Sequence, residues 1–584
     1  MNSSVPSLAK NNENELRAAL NASRGAFVAI GIFSFVINLL MLTGPLFMLQ
    51  IYDRVLTSGS MPTLIAMFIL VVGLFVIYGI LEIVRSKILV RIGTQLDEKL
   101  SGRVFEAVIR QSLNPARDAA SATALKELDS IRQFLTGSGP NALFDSPWVP
   151  IYIGVIFLFH WTLGVLALVG AIMLFIVALL NDILSKKPMQ EANIAMTKAN
   201  YIAEAGRRNA EVISATGMMN NFNNMWKVEH GEALRKQAQA SDRAGALSAF
   251  SKSLRLLLQS AMLAAGAALA IYQIVTPGVM IAASIILGRA LQPVELAIGQ
   301  WRGFIYARQA YKTLRGLLHV TPVFSQKTSL PIPSGNLVVK HVRAVAPKTN
   351  KPILNCKGFS LKSGQVLGII GPSASGKSTL ARILVGVWPM VGGEVRIDGA
   401  TLDQWHPIER GKFLGYMPQD VELFAGTISQ NISRFEPDAL SEKVIEAAKN
   451  VGVHEMILQL PDGYDTMLDS LGGNISAGQR QRIALARAVF GDPCLIILDE
   501  PNSNLDGVGD EALTKAIIGM KERGQTVIVI AHRKTILSAV DVLLVLENGV
   551  QTAFGNRDEV LKKLAEKSAQ MASQMRESKA RGDK

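Results

Sequence analysis

Six apolar runs constrain this chain more than any other feature, because a segment in hydrocarbon has no water for its peptide groups and a helix satisfies them internally. Runs able to cross about 30 Å of hydrocarbon, roughly 20 residues each, cover Gly25–Ile51 and Met61–Val84, Pro147–His160 and Thr162–Leu184, then Leu256–Val275 and Val279–Leu291. The middle pair turns at His160-Trp161-Thr162. Its first run is short for a full crossing, so that span begins before Pro147 or the pair tilts.

Charge orients the runs. The long polar interval after the second run carries Arg85, Lys87, Arg91, Arg103, Arg110 and Arg132. The interval after the fourth carries Lys186, Lys187, Arg207, Arg208, Arg243 and Arg255, whereas the three short connections hold only Arg54. The positive-inside rule places the long intervals and both termini in the cytosol. A net charge of +13 is thereby explained largely without nucleic acid. The intervals are rich in Ala, Leu, Glu, Arg and Lys with apolar residues at helical spacing, so they read as extensions of the membrane helices. The first 24 residues lack the apolar core of a signal peptide and read as a cytosolic segment. Two cysteines, Cys356 and Cys494, are too few for a disulfide framework and read as small buried hydrophobes. At 584 residues, 49% of them hydrophobic, the chain is expected to be a multi-domain membrane protein.

The second half is organised by Gly371-Pro372-Ser373-Ala374-Ser375-Gly376-Lys377-Ser378, which fits G-x-x-x-x-G-K-[ST]. An apolar strand precedes it and a helix beginning Thr379-Leu380-Ala381-Arg382 follows, the context of a phosphate-binding loop. Small residues let backbone N–H groups converge on phosphates, Lys377 reaches the β and γ oxygens, and Ser378 offers a hydroxyl to Mg²⁺. Leu495–Glu500 is an apolar strand ending in two carboxylates. Asp499 is expected in the Mg²⁺ shell, with Gln419, and Glu500 is expected to orient or deprotonate the attacking water. Asn474–Arg482 contains Ser476, Ala477, Gly478 and Gln479 where a cassette signature belongs; Ser503-Asn504-Leu505-Asp506 matches a D-loop, and His532 ends a strand near the γ-phosphate.

In that order these motifs resemble an ATP-binding-cassette (ABC) transporter, and six spans followed by one cassette resemble an exporter half-transporter. The resemblance implies a homodimer in which Ser476, Ala477, Gly478 and Gln479 of one subunit close on the ATP held by the other. The signature departs from LSGGQ at Ile475 and Ala477, and Arg343–Pro347 offers no aromatic ring for adenine, leaving Val345 or its neighbours.

Phe47–Leu56, Phe144–Pro150, Arg208–Ile213, Gly288–Pro293 and Gln300–Gly303 further resemble the PrtD-like subfamily of type I secretion permease/ATPases. That resemblance implies export of unfolded proteins, such as glycine-rich calcium-binding proteases or lipases with a C-terminal signal, through a periplasmic adaptor and an outer-membrane tunnel protein. With about 24 residues before the first span, the peptidase-like domain of some relatives is expected to be absent. The cargo path is expected to include Arg289, Glu295, Trp301 and Arg302, because charge beside lipid is costly; Pro293 is expected to break and bend its helix.

The expected architecture is a cytosolic segment 1–24, an all-α six-helix transmembrane domain 25–320, a linker 321–336, an α/β P-loop ABC nucleotide-binding domain 337–566 and a charged tail 567–584. The expected activity is ATP hydrolysis, with ATP and Mg²⁺ as cofactors, in a bacterial inner membrane, with lipid and secreted protein as partners. A lipid, peptide or small-molecule exporter is the alternative.

Overall fold

The structure, a computed structural model, describes residues 15–113, 123–323, 330–346, 349, 351–469, 475–531 and 533–566. Two compact units part after Pro322. The first is helical: α1 (Arg24–Leu40), α2 (Met61–Ser112), α3 (Gly139–Asp145), α4 (Trp148–Phe159), α5 (Trp161–Arg208), α6 (Met219–Ile271) and α7 (Pro277–Val320). Among the described residues, five stretches are long and apolar enough to cross a membrane: Arg24–Ser58, α2, α5, α6 and α7. The bent pair α3 and α4 supplies a sixth.

The short third run is thereby resolved. α4 has 12 residues, about 18 Å at 1.5 Å per residue. The helical path starts earlier, at Gly139, and turns by 43° where Ser146 and Pro147 separate α3 from α4. The polar intervals do continue the membrane helices. α2 runs 52 residues without a break, about 78 Å and more than twice the hydrocarbon thickness. Its most apolar window is only 6% buried, and Phe68, Ile69, Phe75 and Val76 stand exposed, as lipid-facing side chains do.

Helix starts are fixed by local chemistry. His160 has extended backbone, and its Nδ1 accepts from the Thr162 N–H at 3.3 Å, which caps α5 and makes the tight turn. Thr276 caps α7 with Pro277 at the first helical position. Asp53, in a π-helical turn Ile51–Val55, accepts from Thr276 Oγ1 at 2.6 Å and from the Gly278 N–H at 2.9 Å. Inside the unit, buried Arg85 donates to Asp145 Oδ1 at 3.1 Å and to Ser34 Oγ at 3.1 Å, while Asn38 donates to the same Asp145 oxygen at 2.8 Å. The Tyr152 hydroxyl closes the network on the Asn38 carbonyl at 2.8 Å. Spans one, two and three are thus joined by one buried polar cluster.

One expectation fails. α7 passes Pro293 without a break. Proline removes a single N–H, and Pro293 is buried, as are Ala290, Leu291 and Ile298 on either side of it in the helix.

The second unit is built on a ten-stranded sheet in the order β5-β4-β1-β2-β12-β11-β3-β10-β9-β6. Its strands are β1 (Leu337–Val345), β2 (Pro352–Leu361), β3 (Val366–Ile370), β4 (Gly392–Ile397), β5 (Ala400–Thr401), β6 (Leu414–Met417), β9 (Leu495–Asp499), β10 (Thr526–Ile530), β11 (Val542–Glu547) and β12 (Val550–Asn556); β7 (Gly426–Thr427) and β8 (Met467–Leu468) form a separate pair. β3, β10, β9 and β6 are parallel neighbours. Their β-branched runs are buried on both faces, as parallel strands require. Ile528 and Ile530 enter the core that contains Leu380 and Ile383, while Val527 and Val529 enter the opposite one with Leu513 and Ile517. Cys356 is fully buried and Cys494 half-buried, and burial pushes each thiol up to about 11.

Candidate functional site

β3 delivers the chain into the loop Gly371–Gly376, and α8 (Lys377–Leu384) leaves it. Gly371 has φ +154, and a Cβ there would lie 2.1 Å from the Leu546 carbonyl oxygen, so only glycine fits. Gly376, at φ 91, precedes α8 without any side-chain cap, which leaves the first N–H groups of the helix available to an anion. Ala374 takes a left-handed φ of 63 within the same loop. The Lys377 ammonium donates to the Gly371 and Pro372 carbonyls at 2.9 and 2.8 Å, inside the curve of the loop. Burial lowers its pKa, and the charges of Glu500 and Asp499 oppose that shift. Ser375 Oγ is buried and has no hydrogen-bond partner among the described residues.

Two strands away, β9 ends at Asp499. Ser378 Oγ donates to Asp499 Oδ1 at 3.2 Å, while Asp499 Oδ2 is buried and without a hydrogen-bond partner among the described residues. Burial raises the Asp499 pKa against the hydrogen bond from Ser378. A hydroxyl, a carboxylate and one buried oxygen without a partner suit a small hard cation that takes its remaining ligands from phosphate and water. Glu500 follows with a left-handed φ of 52 and its N–H on the Ile530 carbonyl at 3.1 Å. Its Oε2 accepts from Gln419 Nε2 at 3.0 Å. The structure therefore brings Lys377, Ser378, Gln419, Asp499 and Glu500 around one loop. His532 lies outside the described residues.

The signature residues stand at the start of α9 (Ala477–Val489). Ser476 and Gln479 form a reciprocal capping box, with Gln479 N donating to Ser476 Oγ at 3.2 Å and Ser476 N to Gln479 Oε1 at 2.8 Å. Ser476 and Ala477 are exposed, and Gly478 approaches Asn504, whose carbonyl oxygen would lie 3.1 Å from a Cβ added there. Asn474 lies outside the described residues. Asp506 caps α10 (Gly507–Glu522) through the Gly509 N–H at 2.8 Å and lies 3.4 Å from Arg482.

Gln481, which the motif reading passed over, is buried beneath these elements. It donates to the Glu500 carbonyl and to Ser503 Oγ at 3.3 Å each, and accepts from Asn504 N at 3.0 Å. It ties the signature helix to the carboxylate strand. The only sequence signal was a second glutamine two places after Gln479. Val345 ends β1 half-buried, and the described part of the adenine stretch, Arg343–Ala346, is aliphatic apart from its arginine.

The four membrane residues expected on the cargo path divide between two cavities. Arg289 and Glu295 line one of about 650 Å³ between α6 and α7, together with Lys252, Arg255, Gln259 and Gln292. Trp301 and Arg302 line a neighbouring one of about 230 Å³, where Trp301 Nε1 donates to Asp182 Oδ1 at 3.2 Å. That Lys252, Arg255 and Asp182 meet these residues was not legible in the sequence, because a helix shows its own face but not which residue of another helix meets it.

Comparison with known proteins decides the family. The model for the ABC transporter transmembrane region matches residues 27–293, and that for the ABC transporter matches 354–503. The type I secretion system ATP-binding protein PrsD of Rhizobium meliloti (strain 1021) is 46% identical over 93% of this chain and 94% of its own length. The chain belongs to the ABC transporters. This transporter is also 30% identical to the exotoxin translocation ATP-binding protein PaxB of Pasteurella aerogenes, over 92% of the chain and 76% of that protein. A bacterial Atm1-family ABC exporter with ATP bound shares its fold, with a TM-score of 0.80 at 22% identity over 94% of this chain and 98% of that one. As an ABC transporter it is a multi-pass membrane protein that hydrolyses ATP to drive transport.

Proposed function

We propose that this ABC transporter is the inner-membrane ATPase of a type I secretion system and exports unfolded polypeptides, such as RTX-like proteases or lipases with a C-terminal signal. The observation that carries this reading is the match to PrsD along nearly the whole of both chains, through the membrane half as well as the cassette. The cassette is then cytosolic, two copies form a homodimer, and a periplasmic adaptor and an outer-membrane tunnel protein complete the conduit. Arg289, Glu295, Trp301 and Arg302 belong to the cargo path.

In the ATPase cycle the loop 371–378 and Thr379 hold the phosphates, and Lys377 moves from its own carbonyls to the β and γ oxygens. Ser378, Asp499 and Gln419 would hold Mg²⁺, which when bound would neutralise charge on the transferring group. Glu500 takes the proton of the attacking water, and its hydrogen bond from Gln419 sets the carboxylate's direction. His532 touches the γ-phosphate. Ser476, Ala477, Gly478 and Gln479 of the second copy complete the site, and Asp506 lies on the same face.

Deleting the gene tests the reading. A polypeptide is expected to disappear from the culture medium, to return with the wild-type gene and not with Glu500→Gln; an unchanged set of secreted proteins would sink it.

A further inference from the structure

We infer that the cavity between α6 and α7 is a carboxylate-selecting site for the exported polypeptide. This deepens the exporter reading and rests on it.

Three cations, Lys252, Arg255 and Arg289, face this cavity against a single carboxylate, Glu295. That carboxylate is already engaged, with its Oε2 2.7 Å from Arg255 Nε. Arg289 donates to the neutral Gln292 Oε1 at 3.2 Å, and neither Arg289 nor Lys252 has an ion-pair partner among the described residues. Arg289 stands near the end of the last apolar run, Val279–Leu291, where a charge without an ion-pair partner is expensive and marks a substrate pathway by default. A carboxylate entering between Lys252 and Arg289 would offset it with charge-assisted hydrogen bonds.

The rest of the lining identifies what carries the carboxylate. Gln259, Gln292 and Gln300 also face the cavity. Each carboxamide both donates and accepts, which matches peptide N–H and C=O groups, whereas a phosphate headgroup would use the donors alone. Ile285 and Leu296 are the aliphatic side chains of the lining. Space for the Gln259 carboxamide depends on Gly288, where a Cβ would lie 2.0 Å from Gln259 Nε2. A volume of about 650 Å³ lies within the roughly 300–1,000 Å³ of ligand pockets. It suits a short extended segment with an aspartate, a glutamate or a terminal carboxylate, and excludes a folded domain.

The test uses the full-length protein in nanodiscs and fluorescent glycine–serine peptides with amidated ends, one bearing spaced aspartates and the other asparagines in their place. A third peptide, uncharged with a free C-terminal carboxylate, separates side-chain from chain-end recognition. The aspartate or free-end peptide is expected to bind at least about tenfold more tightly than the asparagine peptide, roughly 1.4 kcal/mol. Lys252→Gln should abolish the difference and Lys252→Glu reverse it; Lys252 is exposed, so neither change threatens the fold. Arg289→Gln should act like Lys252→Gln, with Arg289→Lys restoring part of the discrimination. Equal affinity for all three peptides, or binding of none, overturns the site while leaving the secretion result intact. Displacement of the aspartate peptide by phosphatidylglycerol vesicles, with the same Lys252 dependence, also overturns it in favour of a lipid headgroup. Discrimination without any secreted protein lost on gene deletion would retain the site and reject the exporter.

Discussion

Gln419 Nε2 donates to Glu500 Oε2 across 3.0 Å, so the second residue after β6 holds the residue that follows β9. The two strands are parallel neighbours, with Met417 opposite Leu498, and their ends emerge on the same edge of the sheet. The carboxylate proposed to activate water is therefore aimed by a side chain that is itself proposed to meet Mg²⁺. Occupation of one would redirect the other.

Replacing Glu500 by Gln keeps the side chain's shape while removing the base. ATP should still bind, hydrolysis should fall by something on the order of 10²–10⁴, and a closed dimer should accumulate because bound nucleotide stabilises it by mass action. Phosphate release and cassette crosslinking measure both. Lys377→Ala should instead lose nucleotide affinity. Turnover near wild type in Glu500→Gln would remove that residue from the mechanism.

Burial raises the Asp499 pKa, with the Ser378 hydrogen bond opposing it. A raised carboxyl means the folded cassette binds this proton more readily than the unfolded chain, so the charged form weakens the fold above the carboxyl range and the penalty fades as pH falls through it. Asp499→Asn should therefore stabilise the nucleotide-free protein at pH 7 by on the order of 1 kcal/mol, seen as a higher thermal midpoint. The gain should shrink in acid, and Mg²⁺-dependent hydrolysis should be lost. Calorimetry across pH checks the sign; a lower midpoint at pH 7 would contradict it.

Ala477 is exposed at the first position of α9, and the Ser476–Gln479 capping box is formed with the methyl group in place. Ala477→Gly should change the ATPase rate by less than about tenfold, or roughly 1.4 kcal/mol of barrier. A much larger gain in steady-state turnover would show that the methyl hinders closure of the proposed dimer.

The membrane half offers a sharper test in Arg85 and Asp145. Arg85→Ala leaves Asp145 in a buried site with only Asn38 as a neutral donor, and should cost about 3–5 kcal/mol. Arg85→Met with Asp145→Leu should recover much of that loss. Thermal unfolding of the single and double variants in detergent gives the coupling energy, and additive losses would mean that the two side chains act independently.

Much of this molecule was legible from residue patterns because two periodicities dominate it. Uninterrupted apolarity located the spans, and β-branched runs ending in Gly371 or Asp499 located the strands that carry the phosphate loop and the carboxylates. Spatial partnership was less visible. Lys252 and Arg289 line one cavity only because α6 and α7 pack side by side, and Gln481 acquires meaning only beneath Ser503 and Asn504. Pro293 misled for a related reason, since a local rule about one missing N–H gives way when buried neighbours hold the helix on both sides.

The strand order also carries a timetable. β3, which leads into Ser378, and β9, which ends in Asp499, are not neighbours; β10 lies hydrogen-bonded between them. Ser378 and Asp499 cannot reach their 3.2 Å separation until Thr526–Ile530 has been inserted. A ribosome translating this message has by then released each of the described membrane helices, which end at Val320. A chain that ends before Thr526 therefore lacks the strand that sets Ser378 beside Asp499.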